Sequence, residues 1–493
     1  MFYFNDFKIN RDKDSLQIFE DIKNFIDVFS QQDECKKKIY LFSKIFEIPE
    51  KVLNLKLKKL IYNLFDFKNG NFAFKFNYIS LAYFYFINFF IILYIFILGK
   101  DVIDNKYYDI IIEDFDDYNQ LDRFSKLVSN YNKVLFVINK HSIYKNFKKK
   151  NIDTVFSKIQ RPNRKYYSGK YIIYFKFLNS LFYQSLKNRF NFLYFFTKIF
   201  ISILKNNNIY SVNKSNILIQ DRFYKICPIR NYFFKKNGGK VTSCTQIHLA
   251  ESGISFYVDI DVLFTFGDEI YTKDKFFKFG SIIKETYPVG SHRMEHGWFL
   301  KEMPTNLIPK IDLLVIGINP NHWMISNKVK KDYYDFINWI KIFSIKYPKF
   351  NIFYKHHASF AGDNVEEKIL EGSNIIKIIK NNGNNSYSYL EKSKIAVSYG
   401  STMILEGVSN KKNCYFVDPN LSATTFYGML SNLKNIIIAD YENFERIVLK
   451  TILDDKNDDF TNNNKNEICL NSNNVSQNIF NFFENLKKKN YLI

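Results

Sequence analysis

The stretch Ile395-Ala396-Val397-Ser398-Tyr399-Gly400-Ser401-Thr402-Met403-Ile404-Leu405-Glu406-Gly407 decides how this chain reads. A short apolar run stops at a glycine and two hydroxyls, and a helical pattern carrying a carboxylate follows. That order is a strand delivering its end to the start of a helix, the repeating step of a parallel α/β sheet. Free backbone N–H groups and the positive end of the helix dipole make such a place an anion site. Glu406, about one turn inside, is placed to accept bonds from a ribose or sugar hydroxyl. Ser401 and Thr402 also suit the plainer role of helix N-cap.

The same alternation extends on both sides. Upstream, a strand over Asp312 to Pro320 precedes a helix (331–346), a strand from Asn351 to Tyr354 and a helix (364–370). Downstream come a strand from Asn413 to Val417, an Asn/Asp-rich loop (456–475) and a final amphipathic helix (476–489). The first half repeats the theme. Strands are predicted at 108–113, 133–138, 215–221, 240–248 and 261–267, and helical stretches at 118–131, 172–205 and 224–236. The last of these stops at Gly238-Gly239, where a helix readily ends. Tyr287-Pro288-Val289-Gly290 closes the half. Residues 1–105 read as mainly helical, with amphipathic pieces at 15–30 and 36–64.

The expected fold is therefore α/β, two Rossmann-like domains facing across a cleft, with an additional N-terminal helical region. The expected boundaries are 1–105 for that region, 106–305 and 306–475 for the two domains, and 476–493 for the closing helix.

Composition bounds the function. A chain of 493 residues, 46% hydrophobic and 18% aromatic, has ample material for two or three cores. Its net charge of +21 is compatible with nucleic acid, an anionic membrane face or a phosphate-bearing substrate. The lysines are scattered, and neither zinc-finger spacing nor the aromatic signature of RNA-binding sheets is present, so nucleic acid is not the expected partner. The five cysteines (Cys35, Cys227, Cys244, Cys414, Cys469) are far apart and never form C-x-x-C, which predicts reduced thiols. Residues 1–20 are polar and charged, which predicts no signal peptide. Tyr78 to Leu98 carries no charge and is long enough to cross a bilayer. Lys-rich sequence on both sides gives no orientation, so a buried or membrane-surface helix is favoured over a span.

Three groups of residues suit one chemistry. Lys355-His356-His357-Ala358 directly follows a strand, where open parallel sheets bind ligands, and offers donors to a phosphate or carboxylate. A surface loop with incidental histidines is the bland alternative. Gln246-Ile247-His248 ends a strand of the first half, with Asp221 at the end of the preceding one. A histidine there suits a general base, against the alternative of a core histidine bonded to backbone. Gly290-Ser291-His292-Arg293 follows a strand at the domain junction and offers an anion contact or a turn. No third ligand accompanies the paired histidines at metal-binding spacing.

In order and spacing these pieces resemble the GT-B transferases that build bacterial surface carbohydrates, among them Kdo and sialic-acid transferases and CDP-glycerol glycerophosphotransferases. Gln246-Ile247-His248-Leu249, Asp261 to Gly267 and Val289-Gly290-Ser291 stand where that group has Q-x-H-G, an Asp–Gly segment and V-G-S. Lys355-His356-His357-Ala358 stands for K-x-H-P, and Ser398 through Glu406 for the serine-to-glutamate motif. Leu249 and Ala358 depart from the usual Gly and Pro.

The resemblance implies a metal-independent glycosyltransferase with no cofactor beyond a nucleotide-sugar co-substrate. His248 and Asp221 would serve catalysis. Lys355, His356, His357, Ser398, Ser401, Thr402 and Glu406 would bind the donor, and Gln246, Ser291 and Arg293 would make junction contacts. The best donor is a CMP-linked acidic sugar, and the acceptor a surface glycan or glycolipid. A CDP-glycerol-type transferase or a sugar-nucleotide epimerase on the same fold, and a basic membrane-surface or nucleic-acid-binding protein, are the alternatives. The expected location is cytoplasmic, with peripheral association at the inner membrane face as its variant.

Overall fold

The computed structural model describes residues 7–66, 69–72, 76–100, 104–115, 119–149, 152–157, 162–221, 225–245, 257–267, 280–292, 294–295, 309–318, 326–357, 365–373, 376–379, 386–421, 436–454 and 474–489. It opens with helices α1 (Ser15–Gln31), α2 (Asp33–Phe46) and α3 (Glu50–Tyr62), a small hairpin of β1 (Phe65–Asp66) and β2 (Asn71–Phe72), and α4 (Tyr78–Leu98). A two-residue strand β3 (Lys106–Tyr107) pairs with β7 (Asn213–Lys214).

The first large sheet contains β4 (Ile110–Phe115), β5 (Val134–Ile138), β6 (Thr154–Phe156), β8 (Ile217–Gln220), β9 (Val241–Thr245), β10 (Asp259–Thr265) and β11 (Ile282–Pro288). Its strands are interleaved with helices α5 (Asn119–Val128), α6 (His141–Lys149), α7 (Arg164–Tyr167), α8 (Tyr171–Asn188) and α9 (Phe192–Val212). All strand pairs are parallel, in the order β11-β10-β9-β8-β4-β5-β6. The second sheet contains β12 (Ile311–Ile316), β13 (Ile352–Lys355), β14 (Ile376–Ile379), β15 (Ser393–Ser398), β16 (Asn413–Val417) and β17 (Ile437–Ile438), also parallel, in the order β14-β13-β12-β15-β16-β17. Counted within its own domain, each order runs 3-2-1-4-5-6, the Rossmann winding, with a seventh strand added to the first sheet. The fold is thus two Rossmann-like domains with an additional N-terminal helical region, the GT-B arrangement.

Continuous apolar runs such as Ile110-Ile111-Ile112 and Ile217-Leu218-Ile219 arise because both faces of a parallel sheet are covered. Ile110, Ile112, Ile217 and Ile219 face one core together with Phe124, Phe147 and the closing helix Val475–Lys488. Ile111 and Leu218 face the opposite core, shared with the helical region.

The helical stretch predicted at 172–205 is two helices, with the chain turning at Arg189 (φ 47°) between α8 and α9. Asn191 restarts the helix by accepting from the Tyr194 N–H at 2.9 Å. Strands β6, β11, β14 and β17 were not expected. They are short or lie at sheet edges, where polar side chains such as Lys284 and Glu285 blunt the apolar pattern.

Candidate functional site

The carboxyl ends of three strands meet at the switch point of the second sheet. Strand register sets Ile316 of β12 between Lys355 of β13 and Ser398 of β15. Lys355 and Ser398 therefore stand at one level, two strand spacings or about 10 Å apart. The segments that follow, 317–318, 356–357 and 399–402, all leave the sheet at that edge. His357 and Ser401 share it.

Alternation along β13 divides its side chains. The Tyr354 hydroxyl lies 3.1 Å from that of Tyr333 on helix Asn327–Lys346. Lys355 takes the opposite face, on which Phe353 packs against Tyr389. Lys355 is only 4% exposed. Burial holds its pKa below the ordinary lysine value, and no carboxylate among the described residues offsets that effect. A buried ammonium without a counter-ion is costly, and this one sits where a ligand is expected.

The adjacent histidines diverge. His356 is buried, with Nδ1 2.6 Å from Glu366 and Nε2 3.2 Å from Glu367, and its ring stands edge-on to Tyr354. Glu366 also accepts from the Tyr333 hydroxyl, which in turn accepts from the Ile318 N–H at 3.3 Å. Burial, then the Glu366 charge, pushes the Tyr333 phenol upward. This cluster ties the loop after β12 to the loop after β13. Gly317 belongs to it, because a Cβ there would lie 2.6 Å from the Tyr354 hydroxyl. His357, by contrast, is exposed.

In the opening motif, Ser398 shapes the turn. Its Oγ donates to the Ile316 carbonyl at 2.7 Å and accepts from the Ser401 N–H at 3.1 Å. Ser401 Oγ accepts from the Met403 N–H at 3.3 Å, a capping bond. Thr402 is half-buried, and its side chain makes no capping bond. Glu406 is buried at the domain junction, where Ser291 Oγ from the first domain donates to it and Tyr387 donates at 2.9 Å. Nearby, Glu295 accepts from Ser476 Oγ at 2.6 Å, clamping the start of the closing helix. Burial, opposed by the Ser476 bonds, raises the Glu295 carboxyl.

The switch point of the first sheet holds charges that the sequence reading missed. Glu113 and Gln220 are register partners, and Arg230 pairs with Glu113 and donates to Gln220 at 2.7 Å. Asp221, buried at the end of β8, receives Arg123 at 3.2 Å. The available signal was an acid closing an apolar run, as Glu113 does after Ile110-Ile111-Ile112. Cys227, at the start of helix Pro228–Lys236, is a further surprise. Burial opposes its ionisation, yet Lys56, Arg230 and the Ser202 hydroxyl together lower the thiol to about 6.

Gln246, His248, Arg293, Ala358, Cys469 and most of the Asn/Asp-rich stretch lie outside the described residues. Among the described residues, no group of His, Cys, Asp or Glu is arranged to hold a metal ion.

No protein-family model matches the chain. No curated protein matches it. Solved structures do resemble it. The UDP-GlcNAc 2-epimerase of Neisseria meningitidis, bound to UDP-GlcNAc, aligns at 11% identity over 77% of this chain and 100% of its own, with a TM-score of 0.45. MnaA of S. aureus with UDP aligns at 11% identity over 78% and 98%, TM-score 0.45. HepE of Anabaena in complex with UDP aligns at 7% identity over 77% and 100%, TM-score 0.45. Likeness at this level assigns no activity to the chain.

Proposed function

We propose that this protein is a glycosyltransferase that holds a nucleotide-activated sugar in the crevice of its second domain. One observation carries the reading: Lys355, a buried ammonium with no carboxylate partner among the described residues, at the edge where α/β sheets take their ligands. A donor phosphate supplies the missing negative charge, and exposed His357 at the same edge adds a second donor. His356 holds the loop. Ser398, Ser401 and Thr402 shape and line the turn, and Glu406, an acceptor at the domain junction, receives a hydroxyl of the nucleotide sugar.

In the reaction the acceptor hydroxyl attacks the anomeric carbon and the bond from that carbon to the phosphate oxygen breaks. The proton passes to a base, a role that falls to His248 together with Asp221. The departing phosphate keeps the electron pair, with Lys355 and His357 countering its charge. Junction contacts are the role assigned to Gln246, Ser291 and Arg293, of which Ser291 donates to Glu406. The favoured donor is a CMP-linked acidic sugar and the acceptor a glycan or glycolipid.

The test is a thermal-shift series with CMP, CDP, UDP and GDP, then incubation of the matching sugar nucleotide with and without glycan acceptors. A ligand at 100 times its Kd stabilises by about 2.7 kcal/mol, a readily measured shift. Stabilisation by one nucleotide, with donor consumed only when acceptor is present, supports the proposal. Conversion without acceptor assigns an epimerase instead. Salt-dependent binding to DNA or RNA with no nucleotide shift assigns a nucleic-acid protein.

A further inference from the structure

Helix α4 contains 21 residues and no charge, yet only Leu81, Asn88 and Ile95 along it are buried. Those three, seven residues apart, form the stripe that packs on helices α8 and α9. A polar knot fixes the packing: Asn88 donates to Thr197 Oγ1 at 2.5 Å and accepts from the Tyr174 hydroxyl at 2.7 Å. The opposite face is left to solvent. Ile79, Tyr83, Phe86, Phe90, Phe96 and Ile97 are each 59–79% exposed, and Ile172, Ile173 and Tyr183 of α8 continue the patch at 56–72%. Tyr85 joins the two helices by donating to Asn179.

At half to three-quarters exposure, side chains of this size and number present ~1,000 Å² of apolar surface, well beyond the few hundred Å² usual on a monomer. The face is about 30 Å long, from 21 residues at 1.5 Å each. Helices α4, α8 and α9 contain no Asp or Glu, and their only charged residues are Lys176, Lys187, Lys198 and Lys205. Lys176 and Lys187 are exposed on the same helix as the apolar continuation, and Arg189 follows them.

We propose that this face rests on an anionic lipid bilayer, with α4 lying in the plane of the interface rather than crossing it. Anionic headgroups neutralise the lysines that border the patch. A second copy packed on the same face would set each copy's lysines against helices α4, α8 and α9, which carry no carboxylate, while Glu34 beside Lys187 is already paired with Lys38. Crossing is disfavoured because Asn88, Tyr174 and Thr197 bind α4 to helices whose other sides belong to the protein core. Tyr78 and Tyr183, with apolar rings and polar tips, suit the headgroup level. This surface is independent of the nucleotide reading.

The test is flotation of the full chain with vesicles of phosphatidylglycerol and phosphatidylcholine, and with phosphatidylcholine alone. The expected result is recovery with anionic vesicles that falls at high salt. It should fall at least tenfold in Phe86→Ser/Phe90→Ser/Phe96→Ser and several-fold in Lys176→Glu/Lys187→Glu, with unchanged circular dichroism and nucleotide-induced thermal shift. No flotation of the wild type, or flotation of both variants equal to that of the wild type, overturns the proposal. So does a dimer in sedimentation that the triple serine variant dissolves while vesicle binding persists.

Discussion

Lys355→Met removes a buried ammonium while keeping most of the side chain's length, and it moves stability and binding in opposite directions. Lys355 is 4% exposed, and burial lowers its pKa with no carboxylate among the described residues to offset it. Methionine fills the same irregular space without that cost. The expected gain is about 1–3 kcal/mol, the usual desolvation cost of a buried unsatisfied group. For a domain of this size that raises the melting temperature by about 2–4 °C per kcal/mol. The bound state loses a hydrogen bond between ionised groups, about 1.5–3 kcal/mol, so the nucleotide's Kd rises about 10- to 150-fold. Calorimetry measures both. A pH series adds a sign. Because burial depresses the lysine's pKa, the native state holds fewer protons than the unfolded chain between that depressed value and the ordinary value of 10.5. Wild-type stability therefore rises with pH across this window, relative to the variant. Nucleotide affinity falls across it, since an anion favours the protonated form. A lysine whose stem or ammonium merely braces the fold predicts the reverse: Lys355→Met melts lower and binds as tightly as wild type. That pair of results would refute the site.

The two neighbouring histidines separate by the same logic. His356→Ala leaves the Glu366 and Glu367 carboxylates without their imidazole inside a buried cluster, and is expected to cost about 3–5 kcal/mol in urea unfolding. His357→Ala, at an exposed position, is expected to stay within about 0.5 kcal/mol of wild type while losing tenfold or more in donor turnover. Equal destabilisation by the two would dissolve the division between them. In Gly407→Ala the new Cβ would lie 2.3 Å from Cys414 Sγ, for an expected loss of about 1–3 kcal/mol. Adding Cys414→Ala should recover part of it. A double-mutant cycle with no interaction energy contradicts the contact.

Much of the architecture was legible because parallel sheets write themselves as apolar runs at regular intervals. The strands β4, β5, β8, β12, β13, β15 and β16 all fall on such runs. Strand order was not legible. Nothing local in Ile110 to Phe115 says that β5 lies on one side and β8 on the other, since that choice depends on crossovers of about a hundred residues. At the site, strand ends located Lys355, Ser398 and Asp221, because the carboxyl edge follows from chain direction alone. Which way each side chain faces did not follow. His356 and His357 are indistinguishable until Glu366, ten residues on, reaches back to the first of them. Ser291 and Glu406 are 115 residues apart and meet only through the packing of two domains. Arg123 and Arg230 were overlooked because an arginine on a helix ordinarily reads as a solvated face, whereas both point into buried acids.

The charges at the two switch points are the reason the proposal puts the anion in one half. At the switch point of the first domain the two buried acids each have a base: Glu113 has Arg230, and Asp221 has Arg123. That crevice is balanced, and a charged group entering it would have to displace an existing partner. Polar hydroxyls suit it better, since they need hydrogen bonds and bring no charge of their own. In the second domain His356 is matched against Glu366 and Glu367, but Lys355 is not matched among the described residues. An arriving phosphate there displaces no carboxylate and turns an unfavourable burial into a favourable one. On the proposed reading the two crevices would take different partners, an anionic donor on one side and an uncharged hydroxyl on the other. Because Ser291 and Glu406 already join the domains at their junction, the two partners would be presented to each other across that join.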